Sequence, residues 1–303
     1  MCNAAAQNAI GVFDSGLGGL TAVRELRRIL PGEDIVYFGD TGRVPYGTRG
    51  RDIIVEYAKQ DIAFLLSKGV KAVIAACGTV SSTLPAEVAA SLPVPYMGVV
   101  ESAARAAVLA TKTGRIGVIG TPATVASGSY PAAIRRLMPG AAITATACPL
   151  FVPLVENGYF GVQNPVTRLV AQDYLKDVKS AGVDTLILGC THYPLIAPVL
   201  ADLMGPGVTL VDVGRAAAQS ARHMLERTGL LRAPRQGKVE YYVSDSTEQF
   251  DRLAHIFLGE YAGGSVQRID IDAYGLSERP ANKSQVEISD LRERQKDNTK
   301  SSR

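Results

Sequence analysis

The chain alternates between short apolar runs and longer segments with helical spacing. Runs such as 10–13 and 185–188 are followed at once by small or polar residues. This pattern is typical of a buried parallel strand that ends in a loop. Between the runs, apolar residues recur every three or four positions, as in the segment 20–30, which stops before Pro31. The alternation predicts an α/β protein with mainly parallel sheets.

The individual elements follow from this pattern. Strands are predicted at 9–13, 34–40, 73–76, 93–100, 114–120, 141–147, 185–188, 208–212, 238–243 and 265–269. Helices are predicted at 20–30, 51–68, 81–91, 101–112, 165–181, 194–203, 214–228 and 248–258. Pro85 interrupts the helical pattern of 81–91. The apolar stretch 149–156 ends in an acid, Glu156.

The second half of the chain restarts the pattern of the first. Segment 10–15 aligns with 116–121, and the spacing from each to a later cysteine is similar. We interpret this as a weak internal repeat, and we predict two pseudo-symmetric α/β domains with the active site in the cleft between them. The chain is expected to cross at 93–100 and to return at 208–212. The predicted division is 1–98 plus 212–270 for the first domain, 99–211 for the second, and 275–303 for a polar, disordered tail.

Composition and charge argue against several classes of partner. The chain has 303 residues, a net charge of +3 and no tryptophan, which does not favour a nucleic-acid surface. No apolar run approaches the roughly 18 residues of a membrane span, and the N-terminus lacks the pattern of a signal peptide. We therefore expect a cytoplasmic protein with a small-molecule substrate, no nucleic acid and no membrane contact. A homodimer is left open.

Two of the four cysteines occupy matching places. Cys77 and Cys190 each follow a predicted strand, and each precedes a threonine by one or two positions. Ligands of open α/β sheets bind at the carboxyl ends of strands, so both thiols are candidate functional groups. Cys148 is expected to be structural. The absence of a C-x-x-C pair and the scarcity of histidine predict no metal site.

Several chemistries use thiols in such places. A cysteine hydrolase needs one thiol and a histidine base, which leaves the second thiol without a task. A dithiol oxidoreductase holds both sulfurs within bonding reach, usually in one motif. Inversion at an acidic carbon needs a base on one face and an acid on the other, and two opposed thiols meet that need. Two buried structural cysteines remain the alternative without function.

Further polar residues lie near the same strand ends. Asp14 is the candidate helper of the first thiol, and His192 and Glu156 are candidates for the second. The hydroxyls available for an amino or carboxylate group are those of Ser15, Thr79 and Thr191. The glycine-rich turn 14–19 predicts an anion site. A carboxylate is favoured over a dinucleotide because the pattern G-x-G-x-x-G is not formed and a Walker A lysine is missing.

Four motifs together resemble glutamate racemase. They are the segments 13–20, 39–47, 148–156 and 188–195, and the resemblance extends over about residues 9–260. It implies a racemase without cofactor or metal, in the aspartate/glutamate racemase superfamily, that interconverts L- and D-glutamate for peptidoglycan. It also implies two α/β domains, the second inserted into the first.

The resemblance assigns roles to individual residues. Cys77 and Cys190 match the two catalytic acid/base residues, and Asp14, Glu156 and His192 match their helpers. The positions that match substrate-binding residues are Asp14, Ser15, Tyr46, Gly47, Gly78, Thr79, Thr191 and His192.

One position departs from the family pattern. The first catalytic motif usually reads Cys-Asn-Thr, and here it reads Cys77-Gly78-Thr79. Loss of a hydrogen bond from the Asn side chain to a charged substrate costs about 1.5–3 kcal/mol unless water or Ser81 replaces it. Two alternatives therefore stay open: a related racemase that acts on another acid such as aspartate, and a catalytically idle binding protein on the same scaffold.

Overall fold

The computed structural model describes residues 4–233 and 235–276, and their strands form two parallel sheets. The first sheet has six strands in the order β10-β9-β2-β1-β3-β4, and the second has four in the order β6-β5-β7-β8. The strands are β1 (Ile10–Asp14), β2 (Ile35–Gly39), β3 (Ala72–Ala75), β4 (Tyr96–Gly98), β5 (Arg115–Gly120), β6 (Ala142–Ala147), β7 (Thr185–Leu188), β8 (Thr209–Asp212), β9 (Val239–Val243) and β10 (Val266–Arg268). Every strand pairing described is parallel. The predicted fold class, α/β with mainly parallel sheets, is confirmed.

Helices connect the strands, as parallel pairing requires. In chain order they are α1 (Leu20–Ile29), α2 (Arg51–Ser67), α3 (Gly78–Thr83), α4 (Ala86–Ser91), α5 (Val99–Ala110), α6 (Pro122–Ala126), α7 (Ser129–Leu137), α8 (Phe151–Glu156), α9 (Pro165–Tyr174), α10 (Lys176–Ser180), α11 (Ala197–Met204), α12 (Val213–Thr228) and α13 (Thr247–Leu258). Short 3₁₀ turns lie at Ala4–Gln7, Tyr46–Thr48, Tyr193–Ile196, Gly259–Tyr261 and Ile271–Ala273. Within the described ranges, no helix is long and apolar enough to cross a membrane.

The chain leaves the first sheet after β4 and returns to it at β9. All strands between these two belong to the second sheet. The central strands β1, β2, β3 and β7 are buried along their whole length, because helices cover both faces. On this topology we propose domain boundaries near residues 98 and 212.

Helices α1 and α12 pack closely at the return to the first sheet. A Cβ atom on Gly214 would lie 3.0 Å from the Cα of Ala22, so the two main chains are in near contact. Asp212 caps α12 by accepting hydrogen bonds from the N–H groups of Gly214 at 2.8 Å and Arg215 at 3.1 Å. Small residues thus let α12, which follows the last strand of the second sheet, lie directly against α1.

Some predicted elements differ from the structure. The predicted helix 81–91 is divided into α3 and α4, because Leu84 adopts an extended conformation before Pro85. The predicted helix 165–181 is divided at Leu175 into α9 and α10. The stretch 149–156 contains α8, and α6 and α7 lie where no helix was predicted. Most of the predicted tail, 277–303, lies outside the described residues.

Asp184 anchors the start of β7, the strand that leads to Cys190. Its Oδ1 accepts a hydrogen bond from the Thr111 hydroxyl at 2.6 Å. Its Oδ2 accepts from the N–H groups of Lys112 and Thr113, each at 2.7 Å, and from the Thr113 hydroxyl at 2.9 Å. Although desolvation acts in the opposite direction, these bonds together lower the pKa of Asp184 below its usual value. The carboxylate therefore joins the end of α5 to the second sheet.

We expect Asp184→Ala to lower the free energy of unfolding by about 1–3 kcal/mol at pH 7, because several donors lose their acceptor. Since the pKa is lower in the folded state, this contribution is present above the unfolded pKa of about 4 and is lost as the pH falls through the folded pKa. Urea unfolding at pH 7 and at acidic pH measures both effects. The control is Asp173→Ala, which removes an exposed ion pair with Lys176 and should cost under about 1 kcal/mol. Equal losses in the two variants would contradict the anchoring role.

Candidate active site

A pocket of about 300 Å³ lies where the carboxyl ends of strands from both sheets meet. Its walls come from the loops that follow β1, β2 and β3 in the first sheet and β5, β6 and β7 in the second. A volume near 300 Å³ suits a small ligand. The pocket brings together every predicted site residue except Asp14, namely Ser15, Tyr46, Gly47, Cys77, Gly78, Thr79, Glu156, Cys190, Thr191 and His192. Asp14 is buried next to Ser15, at the end of β1.

Cys77 is the N-cap residue of α3, and the carboxyl of Asp14 lies near it. Its Sγ lies 3.5 Å from the hydroxyl of Ser15. Burial and the nearby carboxyl of Asp14 raise the pKa of Cys77 to about 12, although the hydrogen bond with Ser15 and one from the Val80 N–H act in the opposite direction. Cys77 is therefore a protonated thiol at neutral pH.

Asp14 lies near this thiol, and its two carboxyl oxygens differ in their hydrogen bonds. Its Oδ2 accepts a hydrogen bond from the Gly19 N–H at 2.9 Å. Its Oδ1 is buried and has no hydrogen-bond partner among residues 4–233 and 235–276. Burial raises the pKa of Asp14, against the influence of His192 and of three backbone N–H groups. The predicted anion-binding turn therefore binds a carboxylate of the chain itself, and that carboxyl can still exchange a proton.

Cys190 has different neighbours. Its Sγ lies 3.9 Å from Nδ1 of His192, and Nε2 of the same ring lies 2.9 Å from Oε1 of Glu156. Burial acts to lower the pKa of His192, but its hydrogen bonds to Cys190 and Glu156 raise it to about 10. His192 is therefore an imidazolium at neutral pH. A cation beside a thiol is the arrangement by which proteins stabilise a thiolate.

The glycine-rich turn of the first half supports this second thiol loop. A Cβ on Gly18 would lie 2.4 Å from Oγ1 of Thr191 and 2.5 Å from Nδ1 of His192. The hydroxyl of Thr21 also donates a hydrogen bond to the carbonyl oxygen of Thr191 at 2.9 Å. Gly18 is therefore required for packing between the two halves.

Thr121 is a pocket residue that the sequence analysis missed. It follows β5, and its Oγ1 lies 3.1 Å from Oγ1 of Thr79 and 2.9 Å from Oγ1 of Thr124. A Cβ on Gly47 would lie 3.0 Å from Cβ of Thr121. A signal was present, because the internal repeat aligns Thr121 with Ser15.

Cys148 also lines the pocket, together with the apolar residues Val44, Pro149, Val152 and Pro153. Its Sγ is 3.7 Å from the carbonyl oxygen of Thr146. Burial and the nearby Cys190 raise the pKa of Cys148 to about 12. The structural role predicted for Cys148 stays a prediction.

Gly78 allows the two thiol loops to touch. A Cβ at this position would lie 2.2 Å from the carbonyl oxygen of Gly189, the residue before Cys190. Ser81, the expected replacement for an Asn side chain, instead accepts a hydrogen bond from the Val100 N–H at 3.1 Å and does not line the pocket. Main chain from the opposite loop thus occupies the place where a side chain at position 78 would begin.

Comparison with known proteins gives consistent results. The model of the Asp/Glu/hydantoin racemase family matches residues 20–221. The chain is 42% identical over 266 residues to a glutamate racemase of Geobacter metallireducens, which covers 88% of this chain and 97% of that protein.

Solved structures agree with this match. The fold matches that of a glutamate racemase isoform of Bacillus anthracis with a TM-score of 0.84 and 34% identity, over 88% of this chain and 98% of that one. It matches the glutamate racemase of Francisella tularensis, solved in complex with D-glutamate, with a TM-score of 0.82 and 35% identity, over 89% of this chain and 100% of that one.

The charges around the two thiols predict unequal reactivity. The exposed fractions of Cys77 and Cys190 are similar, 4% and 6%, so access does not distinguish them. The thiolate is the reacting form. We therefore expect iodoacetamide at pH 8 to alkylate Cys190 before Cys77, as followed by peptide mapping with mass spectrometry. Faster alkylation of Cys77 in the unmodified protein would contradict the assignment.

His192→Asn should slow the alkylation of Cys190 at least severalfold, because it removes the adjacent cation, and should leave the rate at Cys77 unchanged. The matched control is His223→Asn, which changes an exposed histidine on α12. An equal effect of both variants on Cys190 would show that His192 does not activate this thiol.

Proposed function

The chain belongs to the Asp/Glu/hydantoin racemase family, and on that basis we propose that it interconverts L- and D-glutamate through two thiols acting as acid and base. The observation that carries the proposal is the unequal pair of thiols in one pocket. Cys77 has Ser15 and Asp14 as neighbours, whereas Cys190 has His192 and, through it, Glu156. Stereoinversion needs one proton donor and one proton acceptor at the same carbon, and this pair supplies them.

The proposed reaction moves one proton on and one proton off the α-carbon. In one direction the thiolate of Cys190 removes the α-proton, and the thiol of Cys77 donates a proton to the opposite face. After this step Cys190 is a thiol and Cys77 is a thiolate, which are the states that the reverse reaction needs. We assign the return of the proton to Asp14 on the Cys77 side and to His192 with Glu156 on the Cys190 side. Glu156 is 41% exposed and links His192 to solvent.

The substrate is held mainly by neutral donors in this proposal. The pocket walls within the described residues contain no lysine or arginine. The two carboxylates would therefore be bound by backbone N–H groups, by hydroxyls and by the charge on His192, and the ammonium group would donate to hydroxyl and carbonyl oxygens. The proposed contacts are the hydroxyls of Ser15, Thr79, Thr121 and Thr191 and the main chain of Tyr46, Gly47 and Gly78. On the family resemblance we further propose that the D-glutamate is used for peptidoglycan in the cytoplasm.

Single substitutions of the two thiols test the mechanism. We expect Cys77→Ser and Cys190→Ser each to lower racemisation by about 10²-fold or more, because positioned acid–base groups contribute roughly 10²–10⁴-fold. In D₂O, each variant should be impaired in α-proton exchange of a different enantiomer. Proton NMR measures exchange, and circular dichroism measures racemisation.

The control for this pair is Cys148→Ala, which removes the third thiol of the pocket and should retain exchange of both enantiomers. Full racemisation by either serine variant would exclude the two-thiol mechanism. Activity of the wild type on aspartate but not on glutamate would exclude the proposed substrate. Binding of glutamate without exchange would indicate an idle binding protein.

The change in kcat/KM caused by a side chain at Gly78 distinguishes two interpretations of this position. Either the glycine is required for contact with Gly189, or it merely lacks a substrate-binding side chain. A side chain here must push aside the carbonyl oxygen of Gly189, and such overpacking costs about 1–3 kcal/mol. We therefore expect Gly78→Ala and Gly78→Asn to displace the loop that carries Cys190 and to lower kcat/KM for both enantiomers, by up to about 10²-fold if the shift reaches about 1 Å. The control is Gly50→Ala, because a Cβ at Gly50 meets nothing within 4 Å. A higher kcat/KM in Gly78→Asn would mean that this position merely lacks a substrate-binding side chain.

A further inference from the structure

A buried polar cluster lies behind one wall of the pocket, and the side chains that form it take no part in the mechanism above. We call it the loop-anchor cluster, and it consists of Asp40, Arg43, Tyr46 and Asp61. Asp40 and Asp61 are fully buried, and the Arg43 side chain is 15% exposed. The cluster lies under the segment Val44 to Thr48, whose five residues all line the pocket.

Helix α2 and the pocket loop meet in this cluster. The Tyr46 hydroxyl is hydrogen-bonded to Oδ2 of Asp40 and lies 3.2 Å from Oδ2 of Asp61. Arg43 donates from Nε to Asp40 at 2.6 Å and from a terminal nitrogen to Asp61 at 3.2 Å. Its guanidinium carbon lies 4.0 Å from the ring centre of Tyr57 on α2. Tyr57 and Asp61 are four positions apart, so one face of α2 holds the loop.

The cluster contains one cation for two buried carboxyl groups. Asp272 also approaches Arg43, at 3.7 Å, but its side chain is 80% exposed. Asp40 has the better set of donors, since the Ser244 hydroxyl also donates to its Oδ1 at 2.7 Å. Two buried carboxylates cannot both be ionised beside a single guanidinium without a large cost. The extra proton therefore belongs to Asp61, and burial together with Asp40 raises the pKa of Asp61 well above its usual value.

The hydrogen bonds also require this proton. A tyrosine hydroxyl carries one hydrogen, so Tyr46 can donate to Asp40 or to Asp61, but not to both. With a neutral Asp61, its Oδ2 donates to the Tyr46 oxygen, Tyr46 donates to Asp40, and Oδ1 of Asp61 accepts from Arg43. Each of these contacts then has one donor and one acceptor.

We propose that Asp61 is a positioning residue for substrate recognition, which donates a hydrogen bond from a neutral carboxyl group to Tyr46 and thereby fixes the pocket loop 44–48. The proposal rests on the proposed function for its substrate. Asp40, Arg43 and Asp61 do not line the pocket, so they act on the substrate through Tyr46. Among the contacts described, none joins the cluster to either thiol. Loss of the cluster should therefore affect substrate binding more than the chemical step.

Three variants in the full-length protein test this. Asp61→Asn keeps an N–H donor toward Tyr46 and an oxygen toward Arg43, so its KM for L- and D-glutamate should stay within about threefold of wild type. Asp61→Ala removes both, so KM should rise at least about tenfold for both enantiomers while kcat changes less than about threefold. Asp52→Ala, at an exposed position in the first turn of α2, is the control and should change neither constant.

Each outcome decides the proposal. An unchanged KM in Asp61→Ala would overturn it, and so would an equal loss in Asp61→Asn and Asp61→Ala, because an ionised Asp61 would then be required. If Asp61→Ala does not fold, Tyr46→Phe takes its place: it removes the hydroxyl and keeps the ring. An unchanged KM in Tyr46→Phe would likewise overturn the proposal.

The wild-type assay separates this test from that of the proposed function. If wild type does not racemise glutamate, the proposed function fails. The same variants are then compared by the Kd for D-glutamate from titration calorimetry, which needs no turnover. A Kd at least about tenfold weaker in Asp61→Ala than in Asp61→Asn supports the positioning role, and equal values overturn it.

Discussion

The architecture of the site depends on a main-chain contact between two loops. A side chain at Gly78 would meet the carbonyl oxygen of Gly189 within 2.2 Å, so the loop after β3 and the loop after β7 lie directly against each other. Each loop carries a thiol next to the contact, at Cys77 and Cys190. Because the contact is made by main chain, a side chain at position 78 would force the two loops apart.

Electrostatics then make two similar loops unequal. Cys77 is buried near a carboxyl and remains protonated, whereas Cys190 lies beside an imidazolium that Glu156 supports. This difference is what an acid and a base at one carbon need. The same principle recurs in the loop-anchor cluster, where a second carboxyl beside a single guanidinium keeps a proton on Asp61. Burial favours the protonated form of Cys77 and Asp61, whereas at His192 the neighbouring Cys190 and Glu156 outweigh burial.

The sequence predicted the central strands and both thiols because their pattern is local. Buried parallel strands such as β1 and β7 are continuous apolar runs, and each thiol follows such a run. The short helices α6 and α7 were not predicted, because no element was assigned to the segment 122–137. Asp61 lies inside an otherwise helical pattern, where a charged residue suggests a solvated face rather than a buried carboxyl. For Gly78 the sequence shows a missing side chain, and only the fold shows that Gly189 occupies its place.

The central claim, that two groups exchange protons on opposite faces of one carbon, can be tested in the unmodified protein. The measurement is the position of deuterium when L-glutamate, and separately D-glutamate, is racemised in D₂O to low conversion. The account predicts that the product enantiomer carries deuterium at the α-carbon while the recovered substrate still carries hydrogen, in both directions. Equal deuterium in product and recovered substrate, or a product that retains its original α-hydrogen, would indicate a single base and would contradict the account.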